Sequence, residues 1–155
     1  MKIRCIESRD ADQILQVQDR CPEIAPWTLQ DYQRAADGEM AGWVADEGGI
    51  VVGFLVARRV AHDFEILNFA VRPDVRQKGI GSLLLQQSFA WGTSLQAENA
   101  FLEVRASNLA AQRFYERRGF RITGRRPRYY SSPEEDALLL TATISPQRQG
   151  QSGSL

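Results

Sequence analysis

The sequence has few residues of the types that build metal sites and disulfide frameworks. Cys5 and Cys21 are its two cysteines and His62 is its one histidine, and no CxxC or Cys/His pair occurs at ligand spacing. Two such cysteines are typical of buried or incidental thiols in a reducing compartment. We therefore expect no metal cofactor, no disulfide framework and no Ser-His-Asp catalysis.

Long apolar runs are also lacking. No segment approaches the ~18 apolar residues that span a bilayer, and the segment Met1-Lys2-Ile3-Arg4 has no apolar signal stretch. We therefore expect a cytoplasmic protein without a membrane partner. The chain has 155 residues, of which 43% are hydrophobic and 25% are charged, and this composition is typical of one globular domain.

An excess of charge of one sign is missing as well. The formal net charge is zero, which argues against a dedicated nucleic-acid-binding protein. The charges are nevertheless segregated: residues 105–128 contain eight arginines and one acid, whereas residues 31–65 contain seven acids and three arginines. This segregation has two interpretations, which are solvated faces of opposite sign or a basic edge that meets an anionic ligand or partner.

The apolar pattern predicts one mixed α/β domain over residues 1–145, followed by a polar, Gly/Ser-rich tail at 146–155 that we expect to be disordered. Asp10 and Gln13 stand at capping-box positions, Thr28 and Asn108 at helix starts, and Gly119 at a left-handed C-cap. Helices are predicted at about 10–21, 28–37, 80–95 and 108–118, and strands at 3–7, 42–46, 50–60, 64–71, 101–104, 120–123 and 137–144.

A basic turn with two glycines joins the fourth predicted strand to the most apolar helix. It runs Arg76-Gln77-Lys78-Gly79-Ile80-Gly81-Ser82. A helix start presents backbone N–H groups without intrahelical acceptors, which suits an anion. Gly79 and Gly81 allow a close backbone approach, and Arg76 and Lys78 add positive charge. The turn matches neither the P-loop nor the dinucleotide motif. It therefore predicts a pyrophosphate site, with a plain helix N-terminus as the alternative.

The pattern Arg-x-x-Gly-x-Gly in this setting resembles the acetyl-CoA-binding motif of the GNAT superfamily of N-acetyltransferases. The segments Leu102-Glu103-Val104-Arg105-Ala106-Ser107-Asn108 and Tyr115-Glu116-Arg117-Arg118-Gly119-Phe120 follow in the family's order and spacing. Within the superfamily the chain looks most like the RimI-type ribosomal-protein-alanine N-acetyltransferases, on the evidence of Pro26-Trp27 and Arg128-Tyr129-Tyr130. The resemblance implies a central, mixed, twisted sheet of about six to seven strands flanked by about four helices.

The resemblance also implies a set of acetyl-CoA contacts. The backbone of one strand end would pair with the pantetheine arm, the basic turn would hold the pyrophosphate, and Asn108 would lie near the pantetheine while also capping its helix. The implied cofactor-binding residues are Phe69, Ala70, Val71, Arg76, Gln77, Lys78, Gly79, Ile80, Gly81, Ser82 and Asn108.

Glu103 is the first candidate for the chemistry. An amine must be neutral to attack a thioester, so a carboxylate that accepts its proton suits the reaction. Glu103 alternates with Leu102 and Val104 on its predicted strand and so points away from that apolar pair. The resemblance implies that it is the general base, and the other interpretation is an ion-paired glutamate beside Arg105.

Tyr115 is the second candidate. A tyrosine hydroxyl is protonated at neutral pH and can donate to a departing thiolate, and the resemblance implies that Tyr115 is the general acid. The alternative is a core aromatic side chain. Trp27, Tyr129 and Tyr130 are predicted in loops, where they either line a peptide groove, as the resemblance implies, or bury the loops against the core.

The residues and the resemblance together predict an acetyl-CoA-dependent enzyme that acetylates a protein N-terminal α-amino group, with a ribosomal protein as one candidate substrate. We expect a monomer or a weak dimer. The alternatives are a GNAT enzyme that acetylates a small amine or a lysine side chain, and a non-catalytic acetyl-CoA-binding module. Glu103 and Tyr115 argue against the module, since a sensor needs no acid–base pair. RNA docking by the arginine-rich segment is compatible with a ribosomal substrate.

Overall fold

The computed structural model describes residues 1–144. These residues form a mixed α/β fold with seven strands in one mixed sheet and four helices, as the sequence predicted. The predicted tail at 146–155 lies outside the described residues. The elements in chain order are β1 Lys2–Cys5, α1 Ala11–Asp19, α2 Leu29–Ala36, β2 Ala41–Glu47, β3 Ile50–Val60, β4 Asp63–Val71, α3 Ile80–Ser94, β5 Asn99–Arg105, α4 Leu109–Glu116, β6 Arg121–Ser131 and β7 Glu134–Thr143.

The chain divides into two compact units. The first unit comprises Met1–Val60 and Glu65–Trp91, and the second comprises Ala61–Phe64 and the described residues from Gly92 onward. Strand order is β1-β2-β3-β4 in the first unit and β5-β7-β6 in the second. Within residues 1–144, no helix has the length and apolar character that a membrane crossing requires.

The first unit is built on an antiparallel hairpin. β2 and β3 pair from Ala41↔Ala57 to Glu47↔Ile50, and Gly48 and Gly49 close the turn with φ of 63° and 92°. β3 is a nearly continuous apolar run and is buried over most of its length, which is typical of a strand covered on both faces. The largest fully buried side chains of this core are Tyr32, Phe54, Ile14, Leu55 and Leu84.

The predicted capping box of α1 is wrong. Asp10 precedes the helix but its carboxylate does not cap it; the carboxylate accepts hydrogen bonds from the Arg4 guanidinium at 2.9 Å and from the backbone N–H of Glu7 at 2.8 Å. Gln13 instead accepts a hydrogen bond from the Val51 backbone N–H at 2.9 Å. The helix cap does not form because Arg4, which is half-buried, offers the carboxylate a stronger, charge-assisted partner.

The second unit contains the clearest error in the predicted strands. β6 extends to Ser131, so Tyr129 and Tyr130 lie on a strand and not in a loop. Nearly all β6 side chains are exposed, so the strand has no apolar alternation to predict it. Its backbone pairs antiparallel with β7, with an irregular register between Arg126 and Tyr130. Pro127 lies in that interval and has no N–H to donate to the ladder.

Candidate active site

The basic turn has the backbone geometry of a helix-start anion site. After β4 the chain makes a short 3₁₀ turn at Pro73–Val75, and Gln77 and Gly79 then adopt φ of 66° and 85°. α3 begins at Ile80, and its first hydrogen bond runs from the Leu83 N–H to the Gly79 carbonyl at 3.1 Å. A left-handed φ at a non-glycine residue such as Gln77 costs of order 1–3 kcal/mol and tends to occur at ligand clamps.

The two cations of this turn differ in what they contact. Arg76 donates from Nε to the Val71 carbonyl at 2.9 Å and from Nη2 to Glu23 Oε2 at 2.8 Å. Its guanidinium is therefore occupied in fixing the turn to the end of β4 and to the chain after α1. Lys78 is exposed and has no ion-pair partner within residues 1–144. Lys78 is consequently the cation of this turn that is available to an anion.

The strand end predicted to pair with pantetheine lies directly before the turn. Ala70 is buried at 6% exposure, and Phe69 and Val71 are half-buried. The Val71 carbonyl accepts the Arg76 hydrogen bond and a 3.7 Å contact from the Cys21 thiol. Burial, followed by the charge of Glu23, raises the pKa of that thiol. Cys21 is therefore a protonated donor to the strand and not a nucleophile.

A buried polar network fixes the segment that contains Trp27. Gln18 on α1 donates to the Trp27 carbonyl at 2.9 Å and accepts from the Trp27 N–H at 3.0 Å. The Tyr32 hydroxyl also donates to Gln18, and Asn68 on β4 donates to that hydroxyl at 3.0 Å and to the Ala25 carbonyl at 3.1 Å. Trp27 itself lies outside any helix or strand and stacks on Tyr32 with ring centroids 5.3 Å apart.

In the second unit, β5 presents Glu103 on the face opposite its apolar neighbours, as predicted. Its side chain is 14% exposed, and Arg126 on β6 forms an ion pair with it. The Oε2 atom is buried and is the carboxylate oxygen that faces the Arg126 Nε atom. The observed partner of Glu103 is therefore Arg126, while Arg105, which the sequence suggested, pairs with Glu135 at 3.1 Å.

The two late tyrosines lie near this carboxylate. The Arg105 guanidinium lies 4.3 Å from the ring centroid of Tyr130, and Arg126 lies 5.6 Å from that of Tyr129. Burial, and then the charge of Glu103, raise the pKa of Tyr130 to about 12. On the β5–β7–β6 face, Arg126 thus contacts both Glu103 and Tyr129, and Arg105 contacts Tyr130.

α4 supplies the other two predicted residues of the second unit. Asn108 Oδ1 accepts a hydrogen bond from the Ala111 N–H at 3.1 Å, which confirms its capping role. Tyr115 is 9% exposed, and burial raises its pKa well above the ordinary value. Its ring packs edge-on against Phe114 and Phe120, each with a centroid distance of 5.3 Å. The hydroxyl is therefore protonated at neutral pH.

Ion pairs within the β-sheet neutralise much of the arginine-rich segment. Arg105, Arg125, Arg126 and Arg128 each pair with an acid on β5 or β7. This pattern favours solvated, internally paired charges over a continuous basic edge. The described residues also contain no group of three or more His, Cys, Asp or Glu side chains that could hold a metal ion.

Sequence reasoning missed three residues of these sites. Gln18 and Asn68 are polar residues within apolar patterns, and such positions signal a buried network once the flanking residues are assigned to the core. Arg126 lies in a strand that the apolar pattern did not predict, so no sequence signal placed it against Glu103.

Comparison with known proteins gives consistent results. A model of the acetyltransferase (GNAT) family matches residues 8–120. The chain is 27% identical over 145 residues to the ribosomal protein bS18-alanine N-acetyltransferase of Escherichia coli (strain K12), covering 92% of this chain and 97% of that protein. It is 31% identical over 157 residues to an N-alpha-acetyltransferase of Sulfurisphaera tokodaii, covering 92% and 93%. The crystal structure of the ribosomal-protein-S18-alanine N-acetyltransferase from Escherichia coli superposes with a TM-score of 0.83 at 27% identity, covering 93% of this chain and 94% of that one.

Proposed function

Because the chain belongs to the acetyltransferase (GNAT) family, we propose that it transfers the acetyl group of acetyl-CoA to the α-amino group of a protein N-terminus. The observation that supports this function best is Glu103, a carboxylate whose buried Oε2 oxygen faces the exposed guanidinium of Arg126, at the position where the family's general base is expected. Such an oxygen can accept a hydrogen bond from an incoming amine and then its proton.

The reaction requires one attack and two proton movements. The amine nitrogen forms a bond to the thioester carbonyl carbon, and the carbon–sulfur bond breaks to give the amide and the CoA thiolate. Glu103 accepts the proton that the amine loses, and Tyr115 donates a proton to the thiolate. The raised pKa of Tyr115 keeps the hydroxyl protonated until that step, and the tyrosinate then recovers a proton from solvent.

For the donor, we assign the pyrophosphate of acetyl-CoA to the turn Gln77–Ser82, with Lys78 as its cation and Arg76 as the residue that fixes the turn. The left-handed backbone at Gln77 and Gly79 supports this assignment, because such turns direct successive N–H groups at one anion. The backbone of Phe69, Ala70 and Val71 and the side chain of Asn108 are assigned to the pantetheine arm.

For the acceptor, the two curated relatives support an N-terminal α-amino group, since one is named as a ribosomal-protein-alanine enzyme and the other as an N-alpha-acetyltransferase. We propose that Trp27, Tyr129 and Tyr130 contact the first residues of the acceptor peptide. A ribosomal protein in the cytoplasm is the substrate proposed here, and the enzyme acts as a monomer or a weak dimer.

A peptide panel tests this function. The protein is incubated with acetyl-CoA and peptides that start with free Ala, Ser or Met, with the same peptides N-blocked and carrying internal lysines, and with common small amines. Mass spectrometry is expected to find acetylation of the free N-termini. Modification of only the blocked peptides would exclude the N-terminal assignment and indicate a lysine acetyltransferase. Modification of only the small amines would exclude it and indicate a small-amine acetyltransferase.

A further inference from the structure

An arginine that the proposed mechanism does not use lies against the proposed base. Arg126 on β6 is paired with Glu103 on β5, and its Nε faces the Oε2 atom of that carboxylate. Oε2 is buried, and the Arg126 guanidinium is its ion-pair partner. The buried oxygen therefore depends on this guanidinium for both its counter-charge and its N–H donor.

The two partners differ in exposure, and this difference decides how easily the pair separates. The Arg126 side chain is 60% exposed, whereas the Glu103 side chain is 14% exposed. An exposed arginine gains little free energy from an ion pair, because water solvates the released guanidinium well. A mostly buried carboxylate, in contrast, is costly to leave without a counter-ion. Separating Arg126 from Glu103 therefore costs little free energy, provided that another cation replaces it.

The neighbouring cation is engaged elsewhere. Arg105 pairs with Glu135 at 3.1 Å and lies 4.3 Å from the ring centroid of Tyr130. The Tyr130 hydroxyl is neutral at physiological pH and provides no positive charge. Arg126 is therefore the counter-ion that Glu103 has to exchange.

We propose that the ammonium form of the acceptor amine replaces Arg126 at Glu103, and that Arg126 is the resting counter-ion of this carboxylate. The inference rests on the proposed function, in which Glu103 receives the acceptor amine. An ammonium group has one positive charge and three N–H donors. It supplies both the charge and the N–H donor that Arg126 withdraws, so the carboxylate is never left unpaired.

The exchange also distinguishes substrate from product. The bound ammonium loses two protons on its way to the amide: Glu103 passes the first to solvent before the neutral amine attacks and accepts the second during the attack, while Tyr115 protonates the thiolate. Once Glu103 has released the second proton to solvent, the neutral amide cannot compensate its charge. Arg126 then returns to the carboxylate, and the product has no ionic contact there. Arg126 acts through Glu103 and is thus a positioning residue, with an effect confined to ligands that carry a charged amine.

Equilibrium binding tests the exchange without turnover. The full-length protein is saturated with CoA at about pH 7 and titrated calorimetrically with an alanine-starting peptide that has a free α-amino group, or with the same peptide in acetylated form. Arg126→Ala removes the competing cation, so the Kd of the free-amine peptide is expected to fall about two- to fivefold, the change that corresponds to an exposed ion pair. The Kd of the acetylated peptide is expected to stay the same.

Two variants serve as matched controls. Arg125→Ala removes the same charge from the neighbouring position, where the arginine is 57% exposed and pairs with Asp136 at 2.7 Å; adjacent strand residues point to opposite faces, so its affinities should equal those of the wild type. Arg126→Lys retains a cation and should bind the free-amine peptide as the wild type does. Arg126→Gln repeats the test if the alanine variant does not fold.

The inference is overturned if Arg126→Ala binds the free-amine peptide no more tightly than the wild type. It is also overturned if Arg126→Ala lowers the Kd of the acetylated peptide equally, or if Arg125→Ala lowers the Kd of the free-amine peptide equally. A general effect of removing positive charge would then explain the change. The peptide panel decides separately whether the wild type acetylates N-termini. If the panel identifies another amine, the same comparison uses that amine and its acetylated form.

Discussion

At the scale of single residues, the proposed chemistry requires that Tyr115 keep its proton and that Glu103 accept one. Tyr115 is surrounded by Phe114 and Phe120, and burial holds its proton in place. Glu103 lies at the edge of the apolar interior, with one oxygen buried. Apolar rings thus stabilise the neutral hydroxyl of the proposed acid, while Arg126 forms an ion pair with the proposed base.

We expect Tyr115→Phe to lower kcat by about 100-fold or more, the range typical of a lost general acid. The substitution removes one hydroxyl and preserves the ring contacts, so the Kd of acetyl-CoA and the thermal stability should change little. Steady-state kinetics at saturating substrates and calorimetric titration measure these quantities. An unchanged kcat would remove Tyr115 from the proton transfer.

Glu103→Gln should slow the reaction more at about pH 7 than at about pH 9. A free α-amino group has a pKa of about 8, so the neutral amine that needs no base is scarce at the lower pH and abundant at the higher one. The measurement is the ratio of wild-type to variant kcat/KM for one peptide across this range. A ratio that does not vary with pH would assign Glu103 a structural role.

At the scale of elements, the turn between β4 and α3 contains one cation that fixes the turn, Arg76, and one that we propose for the ligand, Lys78. Lys78→Ala is expected to raise the KM for acetyl-CoA about fivefold, equivalent to roughly 1 kcal/mol for an exposed charge contact, and to leave the peptide KM unchanged. Lys2→Ala is the matched control, since it removes the other lysine of the chain, on β1. Equal effects of the two substitutions would contradict the assignment of Lys78.

α3 approaches a buried ring at Gly92. A Cβ atom at Gly92 would lie 2.5 Å from Cε2 and 2.7 Å from Cδ2 of Phe64, which is fully buried. Gly92→Ala should therefore lower the free energy of unfolding by about 1–3 kcal/mol through overpacking, although alanine favours helix by about 1 kcal/mol. Urea unfolding measures the change. Gly124→Ala, whose Cβ would meet no atom closer than 3.5 Å, should be nearly neutral.

The sequence predicts elements well where an apolar pattern or a turn residue defines them. The Gly48-Gly49 hairpin, the Thr28 and Asn108 caps and the left-handed Gly119 are all present in the structure. β6 was predicted too short because hydrogen bonds and ion pairs to β7 hold it, and these depend on a partner strand that a local pattern does not specify. The α1 capping box failed for the same reason, since Arg4 comes from another element.

At the scale of the whole molecule, several acids are held in their charged form. Burial alone would raise the pKa of Asp10, but hydrogen bonds from Arg4 and the Glu7 backbone lower it overall. Arg4 and the Gly49 N–H likewise lower the pKa of Asp46. A carboxyl group with a lowered folded pKa contributes stability above its unfolded pKa of about 3.9 and loses it as the pH falls through the folded value.

We therefore expect the free energy of unfolding to be nearly constant between about pH 7 and pH 5 and to fall steeply below about pH 4. Asp10→Asn should reduce stability at neutral pH by roughly 3 kcal/mol, because Arg4 loses a buried partner, and should flatten the acidic slope. Denaturant unfolding at a series of pH values measures both effects. Asp12→Asn, at an exposed position of α1, is the control, and an equal flattening there would contradict the assignment to Asp10.

The candidate site shows the same limit of sequence reasoning at this scale. The family resemblance predicted the motif residues of the turn, Glu103 and Tyr115 as candidates. It did not predict the partners of those residues. Arg126 lies beside Glu103 because β6 pairs with β7 and β7 with β5, and Arg76 is held by hydrogen bonds to the Val71 carbonyl and the Glu23 carboxylate. Contacts of this kind depend on the completed fold.

The amide of Gln18 has a consequence for how acceptor preference can evolve. By donating to and accepting from Trp27, it supplies to an irregular segment the two hydrogen bonds that a neighbouring strand would give. The backbone at Trp27 is therefore fixed from α1 in addition to the packing of the Trp27 ring against Tyr32. Because we propose Trp27 as an acceptor contact, natural variation or directed evolution can change this side chain to suit a different acceptor while Gln18 still holds the backbone.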